Sequence, residues 1–115
     1  MADHLGEFEQ LVMLALLRLG EDGYGVTVHK ELAERAGRDV AMGALYTTFD
    51  RLEKKGFISS RLGEPTPVRG GRRKKLYRLE PEGRRALSRS WATLSRMTEG
   101  LEAALQRFTR EAPGK

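Results

Sequence analysis

The chain has 115 residues, 39% of them hydrophobic and 32% charged, which suits one small core and is too short for a two-domain enzyme. It contains no cysteine, which excludes disulfides, thiolate zinc sites and cysteine nucleophiles. The formal net charge is +5, and residues 61–78 carry seven basic residues against one acidic residue, so most of the excess lies in one short segment.

The first third of the chain predicts two helices joined by a short turn. Apolar residues recur at helical spacing over residues 5–19, and Gly20 with the acidic residues after it ends the segment. A second amphipathic segment covers residues 26–36 and closes at Gly37. The longest apolar run, residues 11–17, is far below the roughly 20 residues that a membrane span requires. We therefore expect a cytoplasmic protein with no membrane contact.

A third helix is predicted over residues 42–55. Leu45, Phe49 and Leu52 fall at i, i+4 and i+7, so they share one face. A rotation of 100° per residue turns small, polar and mildly basic residues away from that apolar stripe. This outer face carries Gly43, Tyr46, Thr47, Arg51 and Lys54.

Two short strands are predicted next, over residues 57–62 and 75–79. The connection between them contains two prolines and the pair Gly70 and Gly71, which are turn formers. Five basic residues therefore lie on a hairpin and its tip: Arg69, Arg72, Arg73, Lys74 and Lys75.

Three helices followed by a two-stranded hairpin are typical of a winged helix-turn-helix, so the predicted fold class is mainly α (α+β). A helix fits the major groove of B-form DNA, where Thr47 and Arg51 are the first candidates for base contact. Basic wing residues can reach phosphates, and Gly70 and Gly71 let the backbone approach closely. A solvated charge run is the alternative, but its position after a helix-turn-helix pattern favours nucleic acid as the partner.

From Pro81 to about residue 110 the pattern predicts one long helix, reaching roughly 40 Å. Apolar residues repeat every seven positions along it, with a second series four residues on. We interpret this seam as a homodimer interface; packing back onto the first helix is the alternative. The predicted organisation is a DNA-binding domain at 1–80, a dimerisation helix at 81–110 and a tail at 111–115. The seam residues are Leu87, Trp91, Leu94, Thr98, Leu101, Leu105 and Phe108.

No constellation of residues supports catalysis or a cofactor. His4 and His29 lie 25 residues apart, without other ligands at metal spacing. The chain has no nucleophile elbow and no phosphate-binding glycine loop followed by lysine. We therefore predict that the protein is not an enzyme and holds no metal.

Four segments closely resemble the PadR family of bacterial transcriptional regulators: LGEFE at 5–9, GYGV at 23–26, GALYTTFDRLE at 43–53 and GGRRKKLYRL at 70–79. The resemblance covers almost the whole chain. It implies a homodimeric winged-helix repressor, with the C-terminal helix forming the dimer and a small molecule relieving repression. A single C-terminal helix is similar to the short subfamily.

The same resemblance bears on Trp91, the only tryptophan. In multidrug-sensing members of the short subfamily a tryptophan on this helix stacks on flat aromatic drugs, so the resemblance implies a small aromatic effector at Trp91. A core anchor between the two paired helices is the alternative. The wing departs from the pattern of these members, because Pro65, Thr66 and Pro67 lengthen it.

Two other kinds of function remain open from the sequence. One is a protein-interaction adaptor whose basic wing meets an acidic protein, for which a missing DNA footprint would be the sign. The other is an RNA-binding winged helix, which would prefer single strands or A-form duplex.

Overall fold

The computed structural model describes residues 4–64 and 73–111. Helix α1 spans Glu7–Leu19 and is followed by a 3-10 turn, Gly20–Asp22. Helices α2, Gly25–Ala36, and α3, Met42–Lys54, come next. Strands β1, Ile58–Leu62, and β2, Lys75–Leu79, form the hairpin, and α4, Pro81–Thr98, and α5, Glu102–Glu111, complete the chain. This order confirms the predicted mainly α, winged helix-turn-helix class. Within the described ranges, no helix is long and apolar enough to cross a membrane.

The sheet is an antiparallel pair with an additional bridge at one edge. Strand β1 pairs with β2 in a register that runs from Ile58 opposite Leu79 to Leu62 opposite Lys75. Tyr24, just before α2, forms an isolated bridge with Leu76 on the free side of β2. The segment before α2 is thereby fixed to the wing, a contact that the sequence pattern did not predict.

The core lies between the first three helices, the hairpin and the first turns of α4. The ring of Phe49 on α3 stacks on that of Tyr77 on β2, with centroids 3.9 Å apart. Together with Leu45 and Leu52, Phe49 is fully buried, as the i, i+4, i+7 spacing predicts. The core residues are Val12, Met13, Ala15, Leu16, Val28, Leu32, Leu45, Phe49, Leu52, Phe57, Ile58, Tyr77, Leu79, Ala86 and Leu87.

The prediction of one continuous C-terminal helix was wrong. Helix α4 ends at Thr98, and α5 begins only at Glu102. Between them Gly100 has a φ of 85°, in the left-handed region that glycine adopts without the penalty of a Cβ. The N–H of Leu101 donates to the carbonyl of Thr98 at 2.8 Å and closes the turn. Leu101 therefore lies in a turn, and the heptad repeat is interrupted there.

Candidate nucleic-acid interface

The outer face of α3 is exposed in the orientation that its periodicity predicts. Leu45, Phe49 and Leu52 point into the core, together with the buried Thr48. The exposed residues on the other side are Gly43, Thr47, Asp50, Arg51 and Lys54. The helix thus presents one apolar face to the protein and one polar face, with two basic side chains near its C-terminal end, to solvent.

Tyr46 differs from these exposed residues because its ring packs against Phe49 and against α2. Its side chain is 41% exposed, and its ring meets the edge of Phe49 at a centroid distance of 5.6 Å. A Cβ placed on Gly25 would lie only 2.1 Å from the Tyr46 hydroxyl oxygen, so the end of the phenol rests directly on the first turn of α2. Tyr46 therefore joins α3 to α2. Sequence reasoning missed Gly25, although the Gly-Tyr-Gly segment was a signal of close packing.

The base of the wing carries three of the predicted basic residues. Arg73, Lys74 and Lys75 are all exposed. The Nε of Arg73 donates to the carbonyl of Gly63 at 2.9 Å, and the N–H of Gly63 donates to the carbonyl of Lys74 at 2.7 Å. These contacts join the two sides of the hairpin at its described end.

The other wing residues predicted from the sequence fall outside the described residues, as do the prolines that lengthen the wing. They are Arg69, Gly70, Gly71 and Arg72, with Pro65, Thr66 and Pro67.

Lys74 and Tyr24 form a contact between the wing and the segment before α2. The Nζ of Lys74 donates to the Tyr24 hydroxyl oxygen at 3.2 Å and lies 4.4 Å from the centroid of its ring. The Nζ of Lys75 points elsewhere, 5.7 Å from the centroid of Tyr77. Tyr24 was not among the residues predicted from the sequence to contact DNA.

Polar contacts from both sides hold the C-terminal end of α3. The hydroxyl of Ser60 on β1 donates to a carboxylate oxygen of Glu53 at 2.6 Å. The ammonium group of Lys55 lies 3.1 Å from the carboxylate of Glu9, which is buried on α1. An unpaired charge would be costly at such a site, so the pair fixes α3 against α1. The first contact joins residues seven positions apart and the second joins residues 46 apart, and helical periodicity alone reveals neither.

Tyr77 lies beneath this end of α3. Burial, and to a smaller extent the nearby Tyr46, Glu53 and Asp50, together raise the pKa of its hydroxyl to about 12. The phenol is therefore neutral at physiological pH.

The predicted dimer seam divides into one core residue, one half-buried threonine and an exposed apolar surface. Leu87 is only 8% exposed and packs in the core of its own chain, so at this position the alternative of packing inward holds. Thr98 is half-buried, and its hydroxyl donates to the Leu94 carbonyl at 2.8 Å. The remaining seam residues are exposed, and Trp91 is 70% exposed. The exposed apolar surface of α4, α5 and the turn between them comprises Trp91, Leu94, Met97, Leu101, Leu105 and Phe108.

A groove of about 370 Å³ runs between α1 and α4 beside this surface. Leu14 and Leu17 of α1 form one wall, Trp91 and Leu94 of α4 form the other, and Arg84 contributes a guanidinium group. Leu14 and Leu17 are themselves exposed, so the apolar surface of α4 continues onto α1. The volume of the groove and its mostly apolar lining are within the range found for small-molecule sites.

The histidines have no metal-site environment. The Nε2 atom of His29 lies 2.7 Å from the carbonyl oxygen of Val40 and so links α2 to the segment before α3. Among residues 4–64 and 73–111, no group of three or more ligand-type side chains could hold a metal ion.

Comparison with known proteins identifies the family. The model of the transcriptional regulator PadR-like family matches residues 13–89. The chain is similar to a PadR family regulator from Eggerthella lenta, with 32% identity, 86% of each chain covered and a TM-score of 0.62.

A PadR family transcription regulator from Clostridium difficile is 26% identical, covering 84% of this chain and 98% of that one, with a TM-score of 0.65. An uncharacterised protein of Lysinibacillus sphaericus is 29% identical over 106 residues, covering 84% of this chain and 93% of that protein. The family model spans the end of α1, the helix-turn-helix, the hairpin and the first half of α4, so it includes α3 and the wing, which form the candidate interface. The chain therefore belongs to the PadR-like family of transcriptional regulators.

Proposed function

We propose that this DNA-binding transcriptional regulator is a homodimeric repressor, which binds a palindromic operator and is released by a small aromatic ligand. The observation that carries the proposal is the polar outer face of α3, which stands free while the opposite face is locked into the core. The solved relatives are transcription regulators, which supports a regulatory role over an enzymatic one.

In this proposal α3 is the recognition helix. Its 13 residues span about 20 Å, and a helix of this kind fits the major groove. Thr47 and Arg51 are one turn apart on the outer face, so both can reach base edges, while Lys54 is placed for a phosphate. Arg73, Lys74 and Lys75 at the base of the wing bind the backbone beside the groove.

The homodimer is supported by the exposed apolar surface of α4 and α5. Large exposed apolar patches are rare on soluble monomers, and a second copy of this chain would cover the exposed apolar side chains of α4 and α5. The two recognition helices then meet two half-sites about one helical turn apart, so the operator is palindromic.

The aromatic effector is supported by the groove between α1 and α4. Trp91 offers an exposed ring to a flat molecule, and the apolar walls favour its transfer from water. A ligand in this groove changes the angle between the paired helices and with it the distance between the recognition helices. A coupling of about 1–3 kcal/mol suffices for release.

Selection of binding sites from random DNA duplexes tests the proposal. We expect a palindromic motif with half-site centres about 10 base pairs apart. Thr47→Ala should relax the base preference within each half-site, whereas the control Arg85→Gln, on the exposed face of α4, should leave the motif unchanged. A motif without a dyad would contradict the homodimeric operator, and the absence of any motif would contradict sequence-specific binding.

Fluorescence tests the ligand. Flat aromatic compounds that quench Trp91 should also release the selected DNA. Trp91→Phe removes the only tryptophan, so its readout is DNA binding alone, and the same compounds should release DNA from this variant less readily. Release that is unaffected in Trp91→Phe would place the effector elsewhere.

A further inference from the structure

We propose that Tyr24 and Lys74 act together as a phosphate-binding pair, in which the Tyr24 hydroxyl donates a hydrogen bond to the DNA backbone. This inference rests on the proposed function, since it names a further contact of the same DNA interface. It assigns a role in DNA binding to Tyr24, which lies outside both the recognition helix and the wing.

The pair lies where the two parts of the DNA interface meet. Tyr24 bridges to Leu76 of β2, and the residue that follows it, Gly25, rests against the phenol of Tyr46 on α3. Lys74 reaches Tyr24 from the base of the wing. The pair therefore joins the recognition helix to the wing, and a duplex that contacts both must pass close to it.

The hydrogen-bond chemistry of the pair leaves donors that take part in no other hydrogen bond among the described residues. An ammonium group can only donate, so in the 3.2 Å contact the Tyr24 oxygen accepts from Lys74. The phenol proton then remains free, and no acceptor for it occurs among the hydrogen bonds of residues 4–64 and 73–111. Lys74 keeps two further N–H groups and has no carboxylate partner in those ranges.

Three donors without an acceptor suit a ligand that offers only acceptors. A phosphodiester oxygen is such a ligand, and hydrogen bonds to a charged acceptor are the strong ones. The Lys74 ammonium also withdraws electron density from the phenol oxygen it contacts, which makes the phenol proton a better donor. The two side chains are therefore expected to act cooperatively, and the loss of one should weaken the contribution of the other.

Fluorescence anisotropy at several salt concentrations separates the contribution of the Tyr24 hydroxyl from that of the Lys74 charge. It measures binding of the full chain to the selected duplex and to a scrambled duplex. Tyr24→Phe keeps the ring and removes only the hydroxyl. We expect it to weaken binding to both duplexes by about five- to tenfold without changing the salt dependence, because no charge is lost. Lys74→Gln should reduce the slope of log K against log salt by about 0.9 for each such phosphate contact.

The double variants test whether the residues act as a pair. In the Lys74→Gln background, Tyr24→Phe should cost twofold or less. Lys75→Gln is the matched control, because it removes the adjacent wing charge, whose ammonium group lies near Tyr77 instead. In that background Tyr24→Phe should keep its full effect. Equal effects in both backgrounds would overturn the pairing.

Phosphate ethylation interference provides a second readout that does not depend on absolute affinity. Wild-type protein should show at least one interfering phosphate per half-site that Tyr24→Phe loses. If wild type bound the duplex and Tyr24→Phe showed the same affinity and the same ethylation pattern, this inference would be overturned and the proposed function would stand. If the wild-type chain bound no duplex, both would fail, and an acidic protein partner would be the remaining acceptor.

Discussion

Replacing Gly83 with alanine tests how α4 is attached to the winged helix. A Cβ at this position would lie 2.2 Å from the carbonyl oxygen of Phe57 and 3.0 Å from its carbonyl carbon. The same oxygen accepts the N–H of Glu80 at 2.9 Å, so it is held by the start of α4. The obstructing atoms are backbone atoms, and relief requires α4 to move away by roughly 1 Å.

The expected magnitude follows from two opposing effects. Overpacking of this kind costs about 1–3 kcal/mol, whereas alanine in place of glycine inside a helix contributes about 1 kcal/mol. Gly43→Ala on the exposed face of α3 is the matched control, because nothing lies within 4 Å of a Cβ there. The gain in helix propensity is common to both variants. We therefore expect Gly83→Ala to be less stable than Gly43→Ala by about 2 kcal/mol, and less stable than wild type by about 1 kcal/mol.

Urea unfolding followed by far-ultraviolet circular dichroism, at one fixed protein concentration, measures the difference. The concentration must be fixed because association shifts apparent stability. If Gly83→Ala proved as stable as Gly43→Ala, the close packing of α4 on the Phe57 carbonyl would be refuted.

Three further predictions concern Tyr77, the end of α3 and the apolar surface. The pKa of Tyr77 is about 12 in the folded protein and near 10 when unfolded. Below pH 10 the phenol is therefore neutral in both states, and Tyr77 makes its full contribution to the free energy of unfolding. That contribution falls, by up to about 2 kcal/mol, as pH rises from 10 to 12, because the unfolded chain loses the proton first. Unfolding of wild type against Tyr77→Phe across this range isolates the effect, and parallel curves would contradict it. Ser60→Ala removes the hydrogen bond to the Glu53 carboxylate and should lower the free energy of unfolding by about 1–2 kcal/mol in urea titrations; an unchanged value would mean that the bond does not hold α3. If wild type forms the proposed dimer in light scattering, Leu94→Glu should be a monomer while its circular dichroism spectrum stays native; a dimer that persists in Leu94→Glu would contradict an interface at this surface.

The regular elements could be predicted because their periodicity is local. The predicted limits of all three helices of the winged helix, and of both strands, lie within two residues of those in the structure. The outer face of α3 followed from the same arithmetic, since burial of Leu45, Phe49 and Leu52 leaves Thr47 and Arg51 outside.

The effect of the two glycines in the C-terminal segment could not be predicted from the sequence pattern. Gly83 and Gly100 look alike in the sequence, yet one lies inside α4 and the other ends it. Close packing on the Phe57 carbonyl surrounds Gly83, whereas nothing lies within 4 Å of a Cβ at Gly100. Gly100 ends α4 with a left-handed φ, whereas Gly83 allows α4 to pack closely on the Phe57 backbone, and a heptad pattern does not distinguish these two uses of glycine.

Contacts between distant segments were not predictable from one sequence for the same reason. Lys55 and Glu9 are 46 residues apart, and Lys74 and Tyr24 are 50 apart. Neither pair is marked by a spacing rule, because the fold alone brings the partners together.

The most direct test of sequence-specific regulation is fluorescence anisotropy of the protein with the DNA upstream of its own gene, against scrambled duplex of equal length, at several salt concentrations. We predict a preference of about a thousandfold or more for the upstream DNA that persists at physiological salt. Equal and steeply salt-dependent binding to both duplexes would contradict a specific operator there and reduce the interface to a nonspecific basic surface.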